Sequence, residues 1–207
     1  DHIKSVGSIS DSFNIPVYST QAVHEGIAKN WCVKKKVSPN QVRYVEKGKT
    51  QQIGDFTVTP FAVPHDSSDC VGYCVQCEGI TFTLVTDCGH VTEEICAFVA
   101  KANYLVIEAN HEVEKLMAGP YPLYLKERIT SQIGHLSNAE CARTIVENAT
   151  ENLKHVWLCH LSDENNHPEL ARIAVTSLME SYGLRAGVDF IVEVLRRKIP
   201  SEIYDLK

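Results

Sequence analysis

The sequence predicts a single α/β domain over residues 1–207, on three observations. Hydrophobic residues make up 44% of the chain and charged residues 22%, which is enough apolar material for a buried core. Residues 41–86 carry strand patterns, whereas helical and strand patterns alternate after Asp87. No internal repeat or low-complexity linker divides the sequence, so one domain is the simplest arrangement.

The first half is predicted to form a helix, a short strand and a second helix, followed by further strands. Lys34-Lys35-Lys36 indicates a solvated loop between these parts. Glu78-Gly79 supplies a turn between two strands rich in β-branched residues, which predicts a β-meander. The predicted helices are residues 3–13 and 20–30, and the predicted strands are residues 16–18, 56–63, 71–77 and 80–86.

The second half is predicted to alternate helix and strand. Ser137-Asn138-Ala139-Glu140 is a capping box for a helix that reaches about Asn148, and Pro168 begins a further helix. One face of that last helix is predicted to be apolar, with Leu170, Ile173, Ala174, Ser177 and Leu178. The other predicted elements are a helix at residues 91–101 and strands at residues 104–107, 155–161 and 189–195.

Charge and cysteine content narrow the class of protein. The net charge is −6, which argues against a generally basic nucleic-acid-binding surface but leaves room for a local basic or metal-rich cleft. No run approaches the roughly 18 apolar residues of a membrane-spanning helix. The eight cysteines lie in apolar runs, and Cys74-Val75-Gln76-Cys77 lies on a predicted strand, so we expect reduced core thiols and a cytoplasmic protein.

Residues that can bind metals occur where predicted strands end. His65, Asp87 and His160 each follow a strand, and Asp1-His2 precedes the first helix. Strand ends that share one edge of a sheet are common places for functional sites, because the sheet holds each side chain in place. Imidazole and carboxylate ligands together favour Zn²⁺, Mn²⁺ or Fe ions over Ca²⁺.

These residues lie in motifs that resemble those of a known family. Asp1-His2 resembles the second half of an H-x-H-x-D-H signature, and Pro64-His65-Asp66, Thr86-Asp87-Cys88-Gly89 and Cys159-His160-Leu161-Ser162 follow it in order. Together they resemble the metal motifs of metallo-β-lactamase-fold hydrolases. Three further segments are similar to the YycJ/WalJ-like exonuclease branch, which consists of bacterial cytoplasmic enzymes: residues 107–111, 133–138 and 160–166.

The resemblance implies an αββα metallo-β-lactamase-like sandwich with two divalent metal ions. His65 would bind the first ion, Asp1, His2 and His160 the second, and Asp87 would bridge both. The ions would be Zn or Mn, with Fe as an alternative. A carboxylate can bridge two cations, whereas an imidazole cannot, so Asp87 suits its position.

The sequence departs from the family pattern at its start. It begins at Asp1 and lacks the H-x-H half of the signature, so we expect it to be N-terminally incomplete. His65 and Asp87 alone are too few ligands for tight binding at the first position. We therefore expect the 207-residue chain to bind one ion weakly and to be a poor catalyst.

The resemblance also implies secondary site residues. His135 precedes the Ser137 cap, and it is expected to contact a scissile phosphate or to protonate the leaving group; a plain loop histidine is the alternative. Asn110 and His111 are candidates for lining the substrate cleft, with a structural turn as the alternative. Asn165 and Asn166 are expected to brace the loop after His160. The remaining histidines, His24, His90, His155 and His167, are assigned no role.

The function implied is metal-dependent phosphodiester hydrolysis, with DNA digested from an end as the favoured substrate. A hydroxide held between two metals would attack phosphorus, with Asp1 orienting or deprotonating the water. One alternative is hydrolysis of thioesters or other small esters by the same fold. The other is a degenerate scaffold without catalysis, supported by the absent H-x-H. Oligomerisation is left open.

Overall fold

The computed structural model describes residues 3–207, and its centre is a mixed seven-stranded sheet. Strand order follows chain order from β3 to β9, and β1 and β2 form a separate parallel pair. The strands are β1 (Val17–Ser19), β2 (Val42–Tyr44), β3 (Gln51–Ile53), β4 (Phe56–Ala62), β5 (Val71–Cys77), β6 (Ile80–Val85), β7 (Tyr104–Glu108), β8 (His155–Cys159) and β9 (Ile191–Val194). The helices are α1 (Val6–Phe13), α2 (Gln21–Lys29), α3 (Glu93–Lys101), α4 (Val113–Ala118), α5 (Leu123–Ile129), α6 (Asn138–Asn148) and α7 (Pro168–Ser181).

The direction of the strands changes at β6. Strands β3 to β6 are antiparallel neighbours, which confirms the predicted meander, whereas β6 to β9 are parallel and are connected through helices. The carboxyl ends of β6, β7, β8 and β9 therefore lie at one edge of the sheet. In open α/β sheets, ligands bind at this edge.

Helices α3, α6 and α7 cover one face of the sheet. Their apolar side chains pack against Phe61, Val85, Leu105 and Leu158, which are fully buried. Helix α6 begins as predicted: the Glu140 amide donates to Ser137 Oγ, and the Ser137 amide donates to the Glu140 carboxylate. This capping box fixes the start of α6, and therefore also the loop that carries His135.

The apolar face predicted for α7 is wrong in part. Ala171, Val175 and Met179 are the fully buried residues of this helix, whereas Leu170 and Ile173 are 38% and 44% exposed. The buried residues recur every four positions. Each lies one residue after a member of the predicted face, so the buried stripe is rotated by about 100° around the helix axis. Because Ala171, Val175 and Met179 face the core, Leu170 and Ile173 lie on the outer side of the helix.

The other face of the sheet carries aromatic side chains, and the C-terminal segment lies against it. The Trp157 ring stacks on His155 at 4.0 Å, and the Tyr204 ring meets Trp157 edge-on at 4.8 Å. The Tyr104 hydroxyl donates to the Lys207 carbonyl over 2.8 Å. The last residues of the chain are thus held against β7 and β8.

The predicted α/β class is confirmed, with two additions. Helices α4 and α5, between β7 and α6, were not predicted, because each has fewer than eight residues and no strong capping signal. An αββα sandwich contains two stacked sheets. In residues 3–207 the strands form one seven-stranded sheet and a separate β1–β2 pair. Within the same residues, no helix combines the length and the hydropathy needed to cross a membrane.

The buried stripe of α7 yields a stability prediction. Met179→Ala removes a fully buried side chain beneath the helix, so we expect the free energy of unfolding to fall by about 2–5 kcal/mol. Ile173→Ala, in the half-exposed position of the same helix, should cost less than about 1 kcal/mol. Urea unfolding of both variants measures the difference; equal losses would contradict this assignment of the buried face.

Candidate metal centre

Four side chains converge at the carboxyl edge of the parallel strands. Asp87 follows β6, Glu108 ends β7, His160 directly follows β8, and His135 lies in the loop before α6. Each offers a ligand atom within 4.8 Å of the others. Carboxylate oxygens and imidazole nitrogens are ligands for divalent transition metals, so these residues form a candidate cation site.

Two of these residues have left-handed backbone conformations. The φ angles of Asp87 and His160 are +53° and +54°, values that L-residues other than Asn, Asp and His rarely adopt. In both cases the chain turns sharply as it leaves its strand, which brings the side chain back over the end of the sheet. Unfavourable φ values are maintained where the surroundings enforce them, and they are concentrated at functional sites.

The Glu108 carboxylate lies beneath this site and accepts four hydrogen bonds. Oε1 accepts from His135 Nδ1 at 3.0 Å and from the Leu136 amide at 3.0 Å. Oε2 accepts from the Asp87 amide at 2.6 Å and from His160 Nδ1 at 3.1 Å. Because each oxygen has two donors, Glu108 has little capacity left for a cation, and it acts as the support of the surrounding groups.

The pKa of Glu108 reflects these bonds. Its side chain is completely buried, and burial raises the pKa, but the hydrogen bonds and charges of His135 and His160 outweigh burial and lower the pKa to about 2. The same contact acts in reverse on His160: burial lowers its pKa, and the bond to Glu108 raises it more, so the net direction is upwards.

The partners of the histidines determine which ring nitrogen carries the proton. A carboxylate can only accept, so His135 and His160 donate to Glu108 from Nδ1, and each Nε2 keeps a lone pair in the neutral ring. His65 is oriented in the same way, because its Nδ1 donates to the Gly134 carbonyl at 2.9 Å. Metal-binding histidines are usually held by such a bond from the second nitrogen.

His65 joins the cluster from the loop after β4. Its Nε2 lies 3.8 Å from Asp87 Oδ1, and its ring centroid lies 4.9 Å from that of His135. The carbonyl that orients His65 belongs to Gly134, where a Cβ would lie only 2.2 Å from the Ile129 carbonyl oxygen. Only glycine therefore allows the His135 loop to pack this closely against the end of α5.

An ion pair between Asp66 and Arg128 connects the loop after β4, which carries His65, to helix α5. Arg128 Nε and Nη2 donate to the two oxygens of Asp66 over 2.5 and 3.0 Å, and this bidentate contact lowers the pKa of Asp66. The Asp66 amide also donates to the Ile133 carbonyl at 3.0 Å. Helix α5, which was not predicted, thus helps to position His65.

The structure brings together most of the predicted site residues that it describes. His65, Asp87, His135 and His160 meet at one edge, while Asp1 and His2 lie outside the described residues. Asn110 lines the adjoining cleft and also donates from Nδ2 to the His160 carbonyl at 2.9 Å.

His111 is predicted either to line the cleft or to form a structural turn, and its burial favours the turn. It is 2% exposed, so it has almost no surface to offer a ligand, and its backbone carbonyl accepts from the Asn138 amide instead. Burial also lowers its pKa, which favours the neutral ring. Asn166 does brace the loop after His160: its Nδ2 donates to the Ala109 carbonyl at 2.8 Å.

Glu108 was the functional residue that sequence reasoning missed. The signal was present, since a glutamate ends the apolar run Tyr104-Leu105-Val106-Ile107, and a buried strand seldom holds a charge without partners. Its partners, however, are separated from it by 21 to 52 residues along the chain. The spacing of these residues in the sequence therefore does not reveal that they meet in the fold.

The fold and this site define the class of protein. The chain belongs to the beta-lactamase superfamily, whose domain matches residues 1–160, a range that includes His65, Asp87, Glu108, His135 and His160. This confirms the resemblance drawn from the motifs. The metallo-β-lactamase fold implies divalent metal ions, and the cluster at the carboxyl edge is the candidate site for them.

The relatives of this chain include two bacterial proteins named as exodeoxyribonucleases. The chain is 32% identical to exodeoxyribonuclease YycJ of Bacillus anthracis, in an alignment that covers 98% of this chain and 76% of the relative. It is 35% identical to exodeoxyribonuclease WalJ of Streptococcus pneumoniae, over 93% of this chain and 71% of the relative. The crystal structure of the metallo-β-lactamase-fold protein YhfI of Bacillus subtilis superimposes with a TM-score of 0.65 at 17% identity, over 94% of this chain and 70% of that one.

The buried carboxylate gives a pH-dependent prediction. Because the folded pKa of Glu108, about 2, is below its ordinary 4.5, its stabilising contribution is present above pH 4.5 and is lost as pH falls towards 2. Glu108→Gln should therefore lower the free energy of unfolding by about 3 kcal/mol at neutral pH, and by progressively less in acid.

Urea unfolding of metal-free protein across this range measures the effect. Glu114→Gln, on the exposed side of α4, is the matched control and should change stability little at any pH. A loss for Glu108→Gln that is the same at neutral and acid pH would show that the charge of Glu108 is not responsible.

Proposed function

We propose that the protein is a metal-dependent hydrolase that cleaves phosphodiester bonds of DNA from an end. The single observation that carries the proposal is the convergence of His65, Asp87, His135 and His160 above a buried, ionised Glu108. The names of the relatives, both exodeoxyribonucleases, support the substrate class.

His65, Asp87 and His160 are the proposed cation ligands among the described residues. Their donor set fits the group, because each imidazole is oriented by a bond from Nδ1 and Asp87 Oδ1 lies 3.8 Å from His65 Nε2. In the proposal Asp1 and His2 would join His160 in holding a second cation, and Asp87 would serve as a ligand at both positions. Zn²⁺, Mn²⁺ and Fe ions all suit such ligands.

Cations bound there would stabilise negative charge on the phosphoryl group and activate the attacking water. The chain supplies the remaining functions. His135 is held at the site through Nδ1, and its Nε2 can carry the proton that the departing oxygen needs. Glu108 stabilises the charged imidazole and fixes its orientation, as a buried carboxylate does for a catalytic histidine. Asp1 is proposed to orient the water.

The proposal includes nucleic acid as partner and a cytoplasmic location. All eight cysteines are free thiols, which fits a reducing compartment. Burial raises the pKa of Cys70 and of Cys159, in both cases to about 12, so these thiols near the site remain protonated.

A substitution of Asp87 tests the proposed cation site most directly. Asp87→Asn keeps the side-chain shape and tolerates the left-handed backbone, but it removes the negative charge that two cations would share. We expect bound metal to fall and cleavage of end-labelled DNA with Mn²⁺ or Zn²⁺ to drop by at least about 100-fold. Asp55→Asn, in the exposed turn between β3 and β4, is the control and should leave both unchanged.

The substrate class is tested with the same preparation. End-labelled duplex DNA, RNA and a thioester are compared, with metal content measured on each sample. Faster hydrolysis of the thioester than of either nucleic acid would favour a small-ester hydrolase. Metal binding without hydrolysis of any of the three would favour a scaffold, and full nuclease activity of Asp87→Asn would overturn the proposed mechanism.

A further inference from the structure

A cleft of about 1100 Å³ extends from the candidate metal centre. His135 and His160 line it where it meets the centre. The rest of its lining comes from Asn110 and from three segments, namely residues 121–129 around α5, residues 159–168 at and after the end of β8, and residues 195–197 after β9. Pockets of about 300–1000 Å³ hold a whole drug-sized ligand, so this cleft has room for more than the bond that is cleaved.

Two consecutive arginines reach this cleft from the edge of the sheet. Strands β8 and β9 are parallel, with Leu158 paired to Val194, and the Leu195 amide extends the pairing by donating to the Leu158 carbonyl at 2.9 Å. Arg196 follows Val194 by two residues, just as His160 follows Leu158. Arg196 and Arg197 therefore leave the sheet beside His160, at the same edge.

Both arginines are exposed, and Arg197 has an ion-pair partner at the cleft. Arg197 Nη1 lies 3.6 Å from Asp163 Oδ2, and both side chains are more than half exposed. Such a contact occupies little of a guanidinium, which has five N–H donors. Arg128, in contrast, uses two donors on Asp66. In a chain with 26 acidic and 20 basic residues, this pair places two guanidinium groups at one end of a cleft whose lining also includes Asp163 and Glu164.

We propose that Arg196 and Arg197 form a subsite that binds the backbone phosphate next to the scissile phosphodiester of a nucleic acid strand. The planar guanidinium fork matches phosphate oxygens, and the adjoining cleft gives the strand a path away from the metal centre. This inference rests on the proposed function, and it deepens it by naming the part of the substrate that the cleft holds.

The remaining lining suits the rest of a nucleotide. Tyr121, Leu125 and Ile129 contribute apolar surface to the cleft, against which a sugar or a base can pack. Contacts of this kind accept any base, because every base has a flat apolar face. The subsite therefore recognises the backbone and not the sequence.

Binding by metal-free protein tests the subsite independently of catalysis. The affinity for fluorescently labelled oligothymidylate and oligouridylate is measured by anisotropy at several salt concentrations in EDTA. Changing both arginines, Arg196→Gln with Arg197→Gln, should weaken binding about 10- to 100-fold. It should also flatten the salt dependence by about 0.7 per lost phosphate contact.

The matched control is Arg185→Gln. Arg185 also lies 3.6 Å from an aspartate, Asp189, but it precedes β9 and so lies at the opposite edge of the sheet. This variant should bind like the unchanged protein. Arg196→Lys with Arg197→Lys should recover part of the affinity, since the charge is kept and the fork is lost. Equal loss for oligothymidylate and oligouridylate indicates that phosphate, common to DNA and RNA, is what is bound.

A cleavage assay on metal-loaded protein completes the test. The Gln variants should raise KM for an oligonucleotide about tenfold or more while leaving cleavage of bis-p-nitrophenyl phosphate, which has one phosphate, unchanged. Unaltered oligonucleotide affinity and salt dependence, or an equal loss on both substrates, would overturn the subsite. Binding that depends on the arginines in a protein that cleaves no phosphodiester would overturn the proposed function and leave the subsite standing.

Discussion

The four hydrogen bonds that Glu108 accepts connect the ends of β6, β7 and β8 with the loop before α6. An ionised carboxylate buried without donors would cost several kcal/mol, so the fold is most stable when the Asp87 amide, the Leu136 amide and both imidazoles are in place around it. This requirement explains why groups far apart in the chain meet in one arrangement. The position of the candidate ligands follows from the burial of a residue that need not bind metal itself.

Much of the fold follows from patterns within short stretches of sequence. Alternation in β4 to β6, the apolar run of β7 and the capping box of α6 are local signals, and the structure agrees with each. Helices α4 and α5 escaped prediction because they are too short to be stable alone and depend on tertiary contacts such as Arg128 with Asp66. The buried side of α7 depends on its tertiary contacts with α6 and β9, which the periodicity of Leu170, Ile173 and Leu178 does not reveal.

The candidate site likewise contains residues that local sequence patterns predict and residues that only tertiary contacts determine. His65, Asp87 and His160 could be predicted because each follows a recognisable strand, and the parallel part of the sheet brings strand ends to one edge. Glu108 could not be placed, since its role exists only through partners on other elements. The position of His111 after β7 was compatible with a cleft residue and with a structural turn, and its packing against the Ser137 segment, which buries it, favours the turn.

The left-handed backbone at Asp87 and His160 also limits how this centre can change. Most side chains, and β-branched ones above all, are strained at φ near +54°, so the residues that substitute readily are Asn, Asp, His and Gly. Cysteine or glutamate, which would shift the preference for a metal, would meet a backbone penalty before any ligand chemistry is tested. Evolution or engineering of metal selectivity would therefore proceed more easily through His65, whose φ is not in that region, or through the neighbours that orient the ligands.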